Sequence, residues 1–278
     1  MKKKGLLSIW LSAVWCVFLL AVLGGATYAW FTFDPYTSVE PMSSTVGSSE
    51  VTLLIAANPE DEFQEECALP QSTSTGLRPV STADLEHFYR AYGQDRQGIF
   101  LTYADISNGV GEDMIHGVLY LKSLTDNCNV YFNKPGMDFG QDSQTLAALR
   151  LGLRFTTMNG VQTYIFTLNG MGNTEGALQR QTTVQRGVVV SSVNDDSTAV
   201  YTEDPARELS PFLAIPNEER PQFPKAGEIA LCTLQAQEIA SVEYWLYLEG
   251  CDENCINEVQ NREVSLQLSF AGAPKRNE

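Results

Sequence analysis

The stretch Leu149-Arg-Leu-Gly-Leu-Arg-Phe-Thr-Thr-Met-Asn-Gly-Val-Gln-Thr-Tyr-Ile-Phe-Thr-Leu168 carries the plainest structural pattern in this chain. Apolar side chains alternate with polar or small ones along Leu149–Thr156, which is the period of a β-strand with one buried face. A second strand is predicted at Val161–Leu168, and the Asn159-Gly160 pair between the two is typical of a tight hairpin turn.

The same alternation recurs on both sides of this hairpin. It is clear at Val242–Leu248 and at Val264–Phe270. Further strands are predicted at Val51–Ala56, Ile99–Tyr103, Gly117–Ser123, Val130–Asn133, Gly187–Ser192 and Glu228–Leu234. About ten short strands with one polar face each predict an all-β fold, an antiparallel β-sandwich or jelly roll.

One segment departs from the strand pattern. Ser81-Thr-Ala-Asp84 has the composition of a helix N-cap, and apolar residues follow at helical spacing from Leu85 to Tyr92. We predict one short helix over Thr82–Tyr92, with His87 at the edge of its apolar stripe.

A proline-rich segment, Glu203–Glu228, contains five prolines, at positions 205, 211, 216, 221 and 224. Proline excludes a regular helix and a central strand, so we predict an extended connection over the surface. No repeat or shift of composition divides the chain there. The sequence therefore predicts a single domain over residues 51–278.

The composition limits the classes of partner. The 278 residues carry 18 Lys and Arg against 34 Asp and Glu, a formal net charge of −16. Nucleic-acid binding needs a clustered positive surface, so this balance argues against a nucleic-acid partner. The hydrophobic fraction of 44% is enough for a buried core and excludes wholesale disorder.

The first residues have the layout of a secretory signal peptide. A basic start, Met1–Lys4, precedes the apolar run Leu6–Leu23, and a glycine pair then leads to a small residue at Ala29. We predict cleavage of residues 1–29 between Ala29 and Trp30 and a secreted protein that meets the membrane only through the uncleaved signal. The alternative is an uncleaved anchor, because about 18 apolar residues can just span a bilayer.

The cysteines of the mature chain fit an oxidising compartment. They are Cys67, Cys128, Cys232, Cys251 and Cys255. Two disulfides and one spare thiol are the simplest expectation for an odd number, and the pairing cannot be read from the sequence. These cysteines lack the paired spacing of structural zinc modules.

The sequence carries no common motif of catalysis or ligand binding. The chain has no H-E-x-x-H, G-x-S-x-G or P-loop sequence. His87 and His116 could each serve a catalytic triad, but two histidines are no argument for one. The acidic stretches Asp195-Asp196 and Asp252-Glu253-Asn254 lack the spacing of a calcium loop and are predicted to be solvated turns. We therefore expect no enzymatic activity, no cofactor and no metal ion.

The predicted mature N-terminus is unusually aromatic, with Trp30, Phe31 and Phe33 among its first four residues. Burying such side chains is worth roughly 1.5–3 kcal/mol each, so we expect them to be inserted somewhere. Three places are open: the core of the same molecule, a membrane, and an open sheet edge of a neighbouring molecule.

The two ends of the chain resemble one family. Gly24-Gly-Ala-Thr-Tyr-Ala-Trp-Phe-Thr32 is similar to the export signals of the TasA/camelysin group of Gram-positive secreted proteins, which a SipW-type signal peptidase processes. Tyr244-Trp-Leu-Tyr-Leu-Glu-Gly250, Asp252, Cys255 and Val264–Phe270 resemble the ending of BsaA-type biofilm matrix proteins. Shorter matches to the same layout are Pro79–Thr82, Phe88-Tyr89, Leu119–Leu121, Val130–Phe132 and Ala148–Leu153.

This resemblance implies a function. Members of the group are jelly-roll proteins that polymerise by donor-strand exchange, in which an N-terminal segment completes the sheet of the next subunit. The implied protein is a structural subunit of an extracellular biofilm matrix fibre, whose partners are other copies of itself and, beyond those, other matrix proteins. Trp30, Phe31 and Phe33 would anchor the donor strand, and residues 30–50 would form a donor-bearing extension.

Three alternatives stay open at this stage. The donor strand could instead be Val51–Ala56, with Pro35–Ser49 as a flexible tether. A monomeric cell-surface adhesin or ligand-binding module is a second class of function. A camelysin-like peptidase is a third, because the resemblance brings that activity with it.

Overall fold

A computed structural model describes residues 43–46, 53–69, 77–94, 100–109, 113–125, 127–139, 143–168, 187–214, 228–255, 259, 264 and 266–274. These residues belong to one compact unit, Tyr36–Glu278. The strands are β1 (Ser43–Val46), β2 (Leu53–Ala56), β3 (Glu66–Ala68), β4 (Pro79–Ser81), β5 (Tyr89–Gln94), β6 (Phe100–Asp105), β7 (Ile115–Ser123), β8 (Cys128–Asn133), β9 (Leu149–Thr157), β10 (Gly160–Thr167), β11 (Val188–Val193), β12 (Ala199–Glu203), β13 (Arg207–Glu208), β14 (Leu213–Ala214), β15 (Cys232–Leu234), β16 (Ile239–Glu249) and β17 (Gln267–Pro274). Within these ranges the strands are accompanied by one short α-helix, α1 (Ser143–Ala148), and by two 3₁₀ turns, Lys134–Gly136 and Ser210–Phe212.

Within the described residues the strands form two large sheets and one hairpin. The six-stranded sheet has the order β14-β8-β17-β1-β3, with β15 also paired to β8. The nine-stranded sheet has the order β13-β10-β9-β16-β4-β5-β6, with β7 paired to β16 and β2 paired to β7. β11 and β12 pair with each other. This confirms the predicted all-β class, whereas the jelly-roll connectivity stays a prediction.

The two large sheets share one hydrophobic core. Phe155 of β9 lies edge-on to Phe270 of β17, with ring centroids 6.3 Å apart. Phe132 of β8 meets Phe166 of β10 in the same way at 5.5 Å. All four side chains are fully buried, and the hydrophobic effect gives each roughly 1.5–3 kcal/mol. The alternation in the sequence thus correctly predicted the inner faces of these strands.

The predicted hairpin between β9 and β10 is confirmed. Thr157 pairs with Gly160, so the two-residue loop is Met158-Asn159. Gly160 begins β10 with φ 121°, a conformation that a glycine adopts without a Cβ penalty.

The predicted helix over Thr82–Tyr92 is wrong. The N-cap residues build a turn instead: Thr82 Oγ1 accepts a hydrogen bond from the Leu85 amide at 3.0 Å, and Asp84 Oδ1 accepts one from the His87 amide at 2.8 Å. Leu85 has φ 59°, which no α-helix tolerates. Ser, Thr and Asp side chains favour turns for the same reason that they favour helix caps, and here the turn precedes β5.

The outer face of the nine-stranded sheet is partly covered, although the sequence predicted it to be polar. Leu85 and Phe88 of this turn pack with Trp245, Tyr247 and Ile165 in a second buried cluster. Burial of the outer face therefore comes from the segment that was predicted as a helix.

The proline-rich segment also departs from its prediction where the structure describes it, over residues 203–214 and 228. Leu209 and Phe212 are buried, and Phe212 contacts Phe166 with ring centroids 5.0 Å apart. That part is therefore not a purely surface connection. The helix α1, just before β9, was not predicted.

Candidate functional site

The first candidate site is the position of β1 in the six-stranded sheet. β1 runs parallel to β17, with Ser43 opposite Gln267 and Val46 opposite Phe270. On its other side it runs antiparallel to β3, with Ser44 opposite Cys67. β1 thus lies between two strands, and its departure would leave both with unpaired backbone groups, which are sites for pairing with another chain.

The residues predicted to drive polymerisation precede β1 in the sequence, and the structure does not describe them. Ala29, Trp30, Phe31 and Phe33 lie outside the described residues. β1 itself falls within the predicted extension of residues 30–50 and within the predicted tether, so that part of the tether is a strand.

The alternative donor, Val51–Ala56, is part of the sheet of its own chain where it is described. Leu53–Ala56 pairs antiparallel with β7, with Ile55 opposite Leu121. Leu53 and Ile55 are fully buried. These residues contribute to the core of this molecule.

The second candidate site lies where three of the stretches quoted for the resemblance meet, namely Pro79–Thr82, Ala148–Leu153 and Tyr244–Gly250. Ser81 ends β4, Arg150 is the second residue of β9, and Glu249 ends β16. Tyr247 lies directly opposite Arg150 across the β16–β9 pair. We name this group of residues the Arg150 cluster: Ser81, Arg150, Asp204, Tyr247, Glu249, Cys251 and Asp252.

The Arg150 side chain is buried and forms ion pairs with two carboxylates. One terminal nitrogen of its guanidinium donates to Asp252 Oδ2 at 2.7 Å and faces Asp204 Oδ2 at 3.4 Å. The other donates to the carbonyls of Ala147 and Leu149 at 3.1 and 3.2 Å. Burial disfavours its charge, but the Asp252 and Asp204 carboxylates outweigh burial and raise the pKa of Arg150. Arg150 therefore joins β9 to two segments that are distant in the sequence.

Glu249 is the third carboxylate of the cluster and is 1% exposed. Its Oε1 accepts a hydrogen bond from the Cys251 amide at 3.0 Å. Burial raises the pKa of the Glu249 carboxyl to about 8, against the opposing effects of Arg150 and Ser81. Arg150 lowers this pKa only in part, since its guanidinium is shared between Asp204 and Asp252.

Three buried polar atoms of the cluster have no hydrogen-bond partner among the described residues. They are Arg150 Nε, Tyr247 Oη and Glu249 Oε2. Native proteins pair nearly all such atoms with protein or with ordered water, so each of these atoms is a place where a buried water could bind. Turns are found at Asp195-Asp196 and at Asp252 as predicted, but only the first is solvated, because the Asp252 side chain is 12% exposed and is bound by Arg150.

His116 takes part in a row of side chains on the outer face. Its ring stacks on Trp245, with centroids 5.2 Å apart, and its Nε2 lies 2.8 Å from Glu243 Oε1. Arg154 lies over the other part of this row, 5.3 Å from the Trp245 ring. This geometry is that of a packed imidazole paired with a carboxylate.

His87 lies in the turn before β5 and is exposed. Its Nδ1 is 2.8 Å from Asp84 Oδ2, and with Glu86 these residues bring ligand-type atoms within 4.8 Å of one another. Asp84 raises the pKa of His87 through this hydrogen bond and its charge. The contacts of Asp84 build the turn itself, so the group needs no metal ion to explain it.

The cysteines of the described residues are thiols, with no disulfide among them, so the two predicted bridges are not formed in this structure. Cys128 and Cys232 lie on adjacent strands, with Cys128 opposite Leu234 and Cys232 opposite Val130. Burial raises the pKa of Cys67 to about 11 and that of Cys251 to about 12. Cys251 Sγ lies 3.2 Å from Tyr103 Oη.

Two members of the Arg150 cluster escaped prediction because their surroundings are set by distant segments. Arg150 alternates with buried leucines and was assigned to a solvated face. Asp204 lies in the proline-rich segment, which was assigned to the surface. The sequence assigned no role to this cluster, and the stretches Pro79–Thr82, Ala148–Leu153 and Tyr244–Gly250 entered only through the family resemblance.

Comparison with known proteins adds no relative. No protein family, curated protein or solved structure matches this chain. In the described part of the chain, no helix has the length and apolar character required to cross a bilayer.

Proposed function

We propose that this protein is a secreted structural subunit of an extracellular biofilm matrix fibre of the TasA/camelysin type, which polymerises by exchange of an N-terminal strand. The observation that carries the proposal is the position of β1 between β17 and β3. A strand that is close to the N-terminus and is flanked on both sides can be supplied by a neighbour without changing the sheet.

Two features of the chain support exchange. Among the described residues β1 meets β17 over four residue pairs and β3 over three, so a modest number of backbone contacts there opposes its replacement. A contact from one end of a subunit to a different surface of the next is heterologous, and such contacts build filaments when they do not close into a ring. The three aromatics that precede β1 in the sequence would add apolar anchoring to a neighbour.

The sharpest test reports which chain supplies β1. Ser43 and Gln267 are opposite each other, so the double variant Ser43→Cys/Gln267→Cys can form a disulfide across the β1–β17 pair. Strand exchange predicts bridges between chains, which a non-reducing denaturing gel shows as a ladder. Bridges only within a chain, at concentrations where the protein assembles, would contradict strand exchange.

Two controls separate assembly from folding. The single variant Ser43→Cys should give no ladder. The triple variant Trp30→Ser/Phe31→Ser/Phe33→Ser keeps every described residue and should remain monomeric in electron micrographs that show filaments of the mature protein. A truncation that begins at Ala57 is unsuitable, because it also removes the buried Leu53 and Ile55.

A further inference from the structure

The Arg150 cluster contains more negative than positive charge. Three carboxylates, those of Asp204, Glu249 and Asp252, meet one guanidinium. Asp252 takes the closest contact to Arg150, and its other oxygen accepts from the Asn254 amide at 2.8 Å. Asp204 Oδ2 faces Arg150, and its Oδ1 accepts from the Ala206 amide at 2.9 Å.

Of the three carboxylates, Glu249 has the weakest contacts to offset a negative charge. Its Oε1 accepts from the Cys251 amide, and the Ser81 hydroxyl also favours the charged form, but Oε2 is buried without a well-aligned hydrogen bond among the described residues. An ionised carboxylate in such a place loses its hydration without gaining a cation of its own. A proton on Glu249 removes this cost.

We propose that Glu249 is a neutral carboxylic acid in the folded protein, and that loss of its proton loosens the corner at which Arg150 holds Asp204 and the turn of residues 250–255. The protein would then have a built-in sensitivity to alkaline conditions. This inference is independent of the proposed function, since it concerns the stability of one subunit.

The groups that face Glu249 come from every element packed around it. They are Ser81 of β4, Tyr103 of β6, Arg150 of β9, Asp204 after β12, Tyr247 of β16, and Cys251, Asp252 and Cys255 of the turn. Among these residues Arg150 is the one cation. The phenols and thiols are buried, and burial raises the pKa of Tyr103, Tyr247 and Cys255, so they are neutral and cannot compensate a further negative charge.

The direction of the pH effect follows from the raised pKa. The Glu249 pKa moves from 4.5 to about 8, so the folded state binds this proton more tightly than the unfolded state. The stability that it contributes is complete below pH 4.5 and is lost as pH rises through about 8. In that interval, one proton of difference lowers the folding equilibrium constant about tenfold per pH unit.

The experiment compares urea unfolding of the mature protein and of Glu249→Gln between pH 5 and pH 8. Glutamine has the same shape and cannot ionise, so the ratio of the two folding constants should change by about tenfold per pH unit, in favour of Glu249→Gln as the pH rises. Glu243→Gln is the matched control, on the same strand and face, and its ratio to the wild type should stay nearly constant from pH 7 to pH 8.

A direct measurement makes the result independent of the variant's folding. Carboxyl ¹³C NMR of the wild-type protein should show one glutamate that titrates with a midpoint near pH 8. Parallel pH dependences of the wild type and Glu249→Gln, or a glutamate spectrum in which every carboxyl ionises below pH 6, would overturn the proposal.

Discussion

Leu85 lies directly against Gly152, so closely that a Cβ on Gly152 would stand 2.6 Å from Leu85 Cδ2. Leu85 belongs to the turn that replaces the predicted helix, and Gly152 is a residue of β9. Because Gly152 has no side chain, the turn can pack directly on the outer face of the sheet.

Gly152→Ala should destabilise the protein by about 1–3 kcal/mol, because the added methyl overpacks a buried contact. Urea denaturation measures the change. Leu85→Ala makes room for this methyl, so the double variant should be more stable than the sum of the two single changes predicts. Strict additivity would show that the two residues do not restrain each other.

Arg150→Ala should cost about 3–5 kcal/mol of unfolding free energy, since it leaves the carboxylates of Asp204 and Asp252 poorly exposed and without their cation. Arg207→Ala is the comparison, because Arg207 is exposed and lies 5.8 Å from the Tyr164 ring. If Arg150→Ala lowered the unfolding free energy no more than Arg207→Ala does, the ion pairs of Arg150 with Asp204 and Asp252 would not stabilise the fold.

Alkylation tests whether the cysteines of the described residues are thiols. We expect slow reaction in the native protein, because burial raises the pKa of Cys67, Cys232 and Cys251 and only the thiolate reacts. After unfolding in urea without reductant, the mass should show alkylation of Cys67, Cys128, Cys232, Cys251 and Cys255. A mass that indicates a single alkylated cysteine would instead support the two disulfides predicted from the sequence.

The pair of His87 and Asp84 gives a pH prediction on the surface. Asp84 raises the pKa of His87 above its ordinary value of 6.5, so the pair contributes stability below that pH that is lost as pH rises through the raised pKa. Asp84→Asn should lower the His87 pKa measured by NMR. An unchanged titration midpoint would show that the two side chains are not paired in solution.

The sequence predicted the inner half of this fold well and the outer half poorly. Alternation along β9 and β16 predicted strands whose inner side chains form the shared core, because a two-residue period depends on the strand alone. It also assigned Arg150, Trp245 and Tyr247 to solvent. Their burial depends on segments far away in the sequence, and a local pattern carries no record of them.

The candidate sites show the same limit. Asp252 was predicted to lie in a solvated turn and its burial was missed, because its cation is Arg150, about a hundred residues earlier in the sequence. In the turn at Thr82–His87, the residues predicted to cap a helix accept hydrogen bonds from the amides of the turn. The same side-chain hydrogen bonds can stabilise either a helix start or a tight turn, so the sequence alone does not distinguish the two.

The pairing of β1 with β17 joins residues near position 45 to residues near position 269. The place of β1 in the six-stranded sheet is therefore complete only when nearly the whole chain has been made. Contacts between residues so far apart in the sequence form late and slowly in folding, so β1 has its β3 neighbour available long before its β17 neighbour.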